Sequence, residues 1–187
     1  MKKVSAIFLA MAIVLMTGGL GNALPTALQS YTLIDISGNY GEVSGAVSAG
    51  HDIYAFEALA GDLITLDIDV TDILPGTLFG DDDSRLFLFN DLGELLHYND
   101  DFDGLQSRIE DFLIADEGMY FAGVTTYGNL PLFDAGGVIS GWEDDGLTGF
   151  EYDFSVTRVS ANSAVTEPST LSNSVSPVSI HNKRLAA

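Results

Sequence analysis

In the stretch Leu63-Ile64-Thr65-Leu66-Asp67-Ile68-Asp69-Val70, apolar and polar side chains take turns. Ile64, Leu66, Ile68 and Val70 fall on one set of alternate positions, and Thr65, Asp67 and Asp69 on the other. Successive side chains of a strand point to opposite faces, so this period of two gives one face for a core and one for water. The run Phe150-Glu151-Tyr152-Asp153-Phe154-Ser155-Val156-Thr157 repeats the pattern with aromatics and Val on one face. Half-buried strands of this kind belong to antiparallel sheets. The expected core face is Ile64, Leu66, Ile68, Phe150, Tyr152, Phe154 and Val156.

Outward from these two runs, Arg85-Leu86-Phe87-Leu88-Phe89 and Met119-Tyr120-Phe121-Ala122-Gly123-Val124 are apolar on both faces and read as central strands. Further strands are expected near Tyr31–Ile36, Glu42–Val47, Ile53–Glu57, Leu95–Tyr98 and Arg108–Ile114. Turn residues separate the runs at Ser37-Gly38-Asn39, Ala60-Gly61-Asp62, Asn90-Asp91-Leu92-Gly93 and Asp116-Glu117-Gly118. No stretch has a helical period with caps. The fold class expected is all-β, an antiparallel, jelly-roll-like β-sandwich of eight or nine strands spanning residues 24–160. Thr126 to Gly149 is rich in Gly and loop residues and reads as a long excursion before the last strand. Residues 161–187, rich in Ser, Asn, Val and Pro without period, read as a disordered tail.

The first 23 residues have the form of an export signal. Lys2 and Lys3 precede an uncharged apolar run from Ala6 to Met16, and Gly21-Asn22-Ala23 supplies small residues for cleavage after Ala23. That run is shorter than the ~20 residues of a spanning helix. A secreted or cell-surface location follows, with no stable membrane insertion of the mature chain. Removing the two lysines leaves five basic residues against 27 acids, a net charge near −22. Such a field repels nucleic-acid phosphate and anionic membranes and attracts divalent cations. The chain has no Cys, which excludes disulfides and thiolate metal sites. Asp outnumbers Glu 19 to 8, and Asp favours turns and hard-cation sites.

The acids concentrate in Asn99-Asp100-Asp101-Phe102-Asp103-Gly104-Leu105-Gln106-Ser107-Arg108-Ile109-Glu110. Oxygen-bearing side chains stand at the first, third and fifth places, Gly at the sixth and Glu at the twelfth, the spacing of a calcium loop. The flanks read as strands, so a β-loop is expected rather than a helix–loop–helix hand, and Glu110 can alternate outward on the next strand. A second cluster, Asp81-Asp82-Asp83, precedes a strand whose antiparallel partner should return residue 83 to the neighbourhood of residue 99 or 100. Converging acids repel unless a cation stands between them. The expected site is one Ca2+ on Asp83, Asn99, Asp101 and Asp103, with Asp100 beside them. Oxygen donors without Cys favour Ca2+ over Zn2+. Glu143-Asp144-Asp145 is a third acidic cluster in the long excursion.

The run from Tyr54 to Tyr127 resembles the bacterial pre-peptidase C-terminal domains of exported proteins. The resembling pieces are Tyr54-Ala55-Phe56 with Ala60-Gly61-Asp62, Asp83 to Phe89, Gly93-Glu94-Leu95-Leu96, Asn99-Asp100-Asp101, Ser107-Arg108-Ile109 and Gly118-Met119-Tyr120. The resemblance implies a jelly-roll-like, non-catalytic sandwich, often calcium-stabilised, that accompanies secreted enzymes or surface proteins. In the tail, Val165-Thr166-Glu167-Pro168-Ser169-Thr170-Leu171 resembles the Pro-Glu-Pro sorting signal of exopolysaccharide-producing Gram-negative bacteria. Thr166 stands where the first Pro belongs, and Ser172 to Ile180 is polar and broken by Pro177, so the resemblance is to a degenerate signal.

No catalytic constellation is visible. His51, His97 and His181 are the only histidines, and no Gly-x-Ser-x-Gly, phosphate-cradling loop or His-Glu-x-x-His pair occurs. The function expected is that of a secreted, non-catalytic, calcium-binding accessory or matrix protein. The rival is a carbohydrate-binding module that presents Trp142, with Tyr127 and Phe133 near it in sequence, to an extracellular polysaccharide. A Trp142 that plugs the sandwich would argue against the rival.

Overall fold

The computed structural model describes residues 23–102 and 104–161. The expected leader up to residue 22, the expected cation ligand Asp103, and the tail from residue 162 with its sorting-signal-like segment lie outside the described residues. Eleven strands follow one 3-10 turn at Thr26–Leu28: β1 (Thr32–Leu33), β2 (Tyr40–Ser48), β3 (His51–Ala58), β4 (Leu63–Ile73), β5 (Ser84–Phe89), β6 (Leu95–Asn99), β7 (Arg108–Leu113), β8 (Gly118–Thr126), β9 (Pro131–Phe133), β10 (Ile139–Trp142) and β11 (Gly149–Val159). One sheet has the order β1-β3-β8-β5-β6, a second β2-β11-β4-β7, and β9 pairs with β10 in a hairpin of its own. The chain crosses repeatedly between the two large sheets, and their eight long strands make the expected sandwich.

The two diagnostic runs become β4 and β11, which pair antiparallel with Ile68 opposite Phe154 and Leu66 opposite Val156. All seven side chains expected on the core face are buried. They meet Tyr54, Phe56, Leu86, Leu88, Tyr120, Ala122 and Val124 from the inner face of the other sheet. One polar network crosses this core. The Tyr152 hydroxyl on β11 donates to Asp52 Oδ2 at 2.7 Å and lies 2.7 Å from the Tyr54 hydroxyl on β3. Burial pushes the Tyr54 phenol up to about 12 and the Tyr152 phenol up as well, while burial raises Asp52 against the lowering effect of the Tyr152 hydrogen bond. A bonded network of this kind fixes how the two sheets face each other. Opposite Tyr152 on β2 stands Gly45, where a Cβ would lie 2.5 Å from the Tyr152 ring end and 2.7 Å from the Tyr54 hydroxyl.

β5 and β8 are apolar on both faces because the five-stranded sheet is covered twice. Its outer face carries Ile53, Ala55, Phe87, Phe89 and Phe121 under a third layer formed by Leu28, Ile139 and Trp142. Two sequence expectations are corrected, one of them by this layer. The excursion from Thr126 to Gly149 contains two strands, β9 and β10, so the count is eleven rather than eight or nine. At three and four residues they are too short to show a period. The other correction is β1, which pairs with β3 in parallel.

Candidate functional site

The acidic segments converge at one end of the sandwich. Leu86 on β5 stands opposite Asn99 on β6, so the next residues, Arg85 and Asp100, meet. Their guanidinium and carboxylate form a fork: Nε to Oδ1 at 2.6 Å and Nη2 to Oδ2 at 3.0 Å. The Arg85 guanidinium also lies 4.9 Å above the Tyr127 ring. Bidentate pairs of this sort are geometrically specific. Below the fork, the buried Ser107 hydroxyl lies 2.7 Å from the carbonyl oxygens of Ser84 and Asp100 and 3.0 Å from that of Asn99. A single hydroxyl therefore gathers the start of β5 and the loop after β6.

Asp83 sits just before β5, with its carbonyl oxygen accepting from Tyr127 N–H at 3.1 Å and from the Thr148 hydroxyl at 2.9 Å. Its carboxyl is pushed up to about 6, first by burial and then by the charges of Asp100, Asp81 and Asp101, with Arg85 opposing. Leu86 opposite Asn99, and the Ser107 hydroxyl between the Ser84 and Asp100 carbonyls, set the chain just before β5 beside the loop after Asn99. Asp81 Oδ1 is buried with no hydrogen-bond partner among the described residues. Asp82 accepts from Gln106 Nε2 at 3.0 Å, and Gln106 Oε1 accepts from Val70 N–H at 2.9 Å. Gln106 thus braces the first acidic cluster against β4.

The other expected ligands divide. The Asn99 side chain closes its own loop, donating to the Asp101 carbonyl at 3.1 Å and accepting from Arg108 N–H at 3.0 Å. Both Asp100 oxygens face Arg85. Asp101 is exposed at the mouth of the cluster. Glu110 is an exposed residue of β7, paired with Arg108 at 3.2 Å, and does not close the loop. Among the described residues no three His, Asp or Glu side chains stand close enough to hold a metal ion by themselves.

The raised Asp83 carboxyl has a stability consequence. The folded chain holds this proton more tightly than the unfolded chain, whose carboxyl titrates near its ordinary value of 3.8. The group therefore opposes folding above about pH 6, and that opposition fades as pH falls through 6 towards 4. In chelator, Asp83→Asn should melt several degrees above the parent at pH 7.5 and level with it near pH 4. A parent that melts as high as the variant at pH 7.5 would show that no repulsion is relieved.

Trp142 corrects the rival expectation. It is only 8% exposed, stacked on His51 at 4.8 Å and 17°, and set edge-on to Phe87 and Phe89. It seals the third layer against the sheet and offers no ring face to a sugar. His51 Nδ1 lies 2.6 Å from Asp144 Oδ1, and Asp144 N–H donates to Asn129 Oδ1 at 2.9 Å, so the third acidic cluster ties the excursion to β3. His97 is exposed on β6.

A feature that the sequence did not flag lies beside the Arg85–Asp100 fork. A cleft of about 300 Å³ opens between β6 and the β9 strand, floored by Phe87 and flanked by Tyr98 and Phe133. Only the Arg85 position, on the same face of β5 as Phe87 and Phe89, gave any signal: a cation in an otherwise apolar strand. No helix among the described residues is long and apolar enough to cross a membrane.

No family model and no curated protein sequence matches the chain. Among solved structures it is similar to PliG of Aeromonas hydrophila, a periplasmic inhibitor of g-type lysozyme. The identity there is 12% and the TM-score 0.43, over 70% of this chain and 96% of that one. Salmonella Typhimurium PliG gives 14% and 0.40, over 69% and 98%. The pre-peptidase C-terminal domain of a Bacillus anthracis collagenase gives 14% and 0.36, over 63% and 87%. Likeness at this level assigns the chain to no family.

Proposed function

We propose that this chain is an exported, non-catalytic β-sandwich whose acidic end takes up Ca2+ at Asp83 and the unpaired Asp81 oxygen, with the charge of Asp101 beside them. The observation that carries the reading is the pairing of a repelled carboxyl, Asp83, with a buried Asp81 oxygen that has no hydrogen-bond donor. A buried, unpaired carboxylate oxygen is unfavourable, and a cation relieves that and the repulsion together. Ca2+ completes six to eight ligands from carboxylates, carbonyls and water, so side chains need not supply the whole shell. Arg85 already neutralises Asp100 and the Gln106 amide already holds Asp82, which leaves Asp81, Asp83 and Asp101 facing the space between them. Export rests on the Lys2–Ala23 pattern.

A ligand that binds only the folded state adds RT ln(1 + [L]/Kd), or ~2.7 kcal/mol at a hundredfold excess over Kd. For a domain of this size that raises the melting temperature by roughly 5–10 °C. CaCl2 should produce this rise above NaCl of equal ionic strength, and Asp83→Asn with Asp101→Asn should abolish it. An equal rise in parent and double variant would mean that ions only screen the acidic surface, and the site reading would fall.

A further inference from the structure

We propose that the cleft between β6 and the β9–β10 hairpin binds a neutral sugar unit of a polysaccharide chain. The cleft exists because the third layer stops short. The 3-10 turn and the hairpin cover the outer face over β3, β8 and Phe89, but β6 lies beyond them as the edge strand of its sheet. The floor is therefore Phe87, nearly buried, with Tyr98 stacked beside it at 6.0 Å and 20°. The far wall is Pro131 and Phe133 of β9.

Two aromatic rings thus stand open across one small space, Tyr98 at 59% and Phe133 at 41% exposure. Exposed aromatics are common singly, but a pair lining one cleft beside a fixed polar group is a recognition arrangement. The apolar C–H faces of a pyranose pack on such rings, and its equatorial hydroxyls need donors and acceptors in the ring plane. The Arg85–Asp100 fork supplies both at the cleft wall. The fork uses two of the five guanidinium N–H donors, and each Asp100 oxygen keeps a further lone pair. Because β5, β6 and Tyr127 hold the fork in place, its geometry is set before any ligand arrives.

Charge selects the class of sugar. The fork is internally neutral, and the surrounding chain is strongly acidic, so uronate, sulfate or phosphate groups are repelled. A volume of about 300 Å³ is at the small end for ligand clefts and suits one or two hexose rings. β6 is the edge strand of its sheet, so no further strand of that sheet closes the cleft beyond it.

The test is calorimetric titration, in chelator, of the protein with cello-, xylo-, manno-, laminari- and maltohexaose, and with polygalacturonate as the anionic arm. At least one neutral hexasaccharide should bind. Tyr98→Ala and Phe133→Ala should each weaken it about tenfold or more while leaving the melting temperature in place. Leu113→Ala, an exposed apolar side chain on β7, should change nothing. Three outcomes overturn the proposal: no neutral chain binds, only polygalacturonate binds, or both ring deletions leave affinity unchanged. Working in chelator keeps this result independent of the cation site.

Discussion

Gly45→Ala should lower the melting temperature by roughly 10 °C or more, a larger loss than a single added methyl causes at most sites. The new Cβ would stand 2.5 Å from the Tyr152 Cζ and hydroxyl and 2.7 Å from the Tyr54 hydroxyl, distances at which something must move. Neither ring has room to give. Tyr152 is packed against Phe150 and Tyr54, and Tyr54 is stacked on Phe154 at 5.0 Å. Overpacking alone costs about 1–3 kcal/mol. Driving the Tyr152 hydroxyl from Asp52 removes a hydrogen bond to a half-buried carboxylate, another ~1–3 kcal/mol. The sum, about 2–6 kcal/mol, has a midpoint that converts to a shift of roughly 10 °C at ~2–4 °C per kcal/mol. A double-mutant cycle with Tyr152→Phe separates the two parts. Without the hydroxyl, the alanine should cost less than it does alone. A melting temperature within 2 °C or so of the parent would show that the sheets slide apart freely at this point, contrary to a core locked by the Tyr54–Tyr152–Asp52 chain.

Trp142→Ala should cost about 3–5 kcal/mol at the site, but the loss should appear as local opening rather than as global collapse. Trp142 belongs to the smaller core, with Phe87, Phe89 and Ile139, and makes none of the contacts between the two large sheets. Its indole fits over Gly123, where a Cβ would lie 2.7 Å from the ring. Without it, the β9–β10 hairpin is held to the rest by the buried Ile139 and by backbone bonds such as Ile139 N–H to Gly93 O. Amide exchange should accelerate across residues 131–142 while β4 and β11 stay protected. Sugar affinity should fall with it, because Pro131 and Phe133 form one wall of the cleft. Exchange that accelerates equally in β4 and β11 would mean that the third layer and the sandwich open as one unit.

The sandwich was legible because its information is carried by parity. β4 and β11 alternate cleanly, and the side chains that parity assigns to the core are inside except Val70, which is half-buried where the β4–β11 register shifts. β5 and β8 were legible as central because both of their faces are apolar. What covers the outer face was not legible. The hairpin strands are too short for a period, and a lone Trp142 reads equally as a plug or as a platform until its neighbours are known. The acidic end was legible as a convergence, since Leu86 opposite Asn99 follows from a short hairpin. The side-chain roles were not. Asn99 matches a calcium-loop position, yet its amide is used by the Asp101 carbonyl and the Arg108 N–H. Asp100 looked like an auxiliary ligand and is held by Arg85. The bracing roles of Gln106 to Val70 and Asp82, and of Ser107 to Ser84, are not readable in one dimension, because those partners are more than twenty residues away.

The order β2-β11-β4-β7 sets a timetable as well as a shape. β11 is the last strand among the described residues and lies between β2 and β4, bonded to both along most of its length. Until residue 159 has been made, β2 has no sheet to join and β4 has only β7. Backbone pairing in half of the sandwich therefore waits for the final strand, and loop closure across more than a hundred residues is slow. In a chain made N-terminus first, β3, β5, β6 and β8 can pair once residue 126 exists, while the sheet around β11 stays incomplete for about thirty residues more.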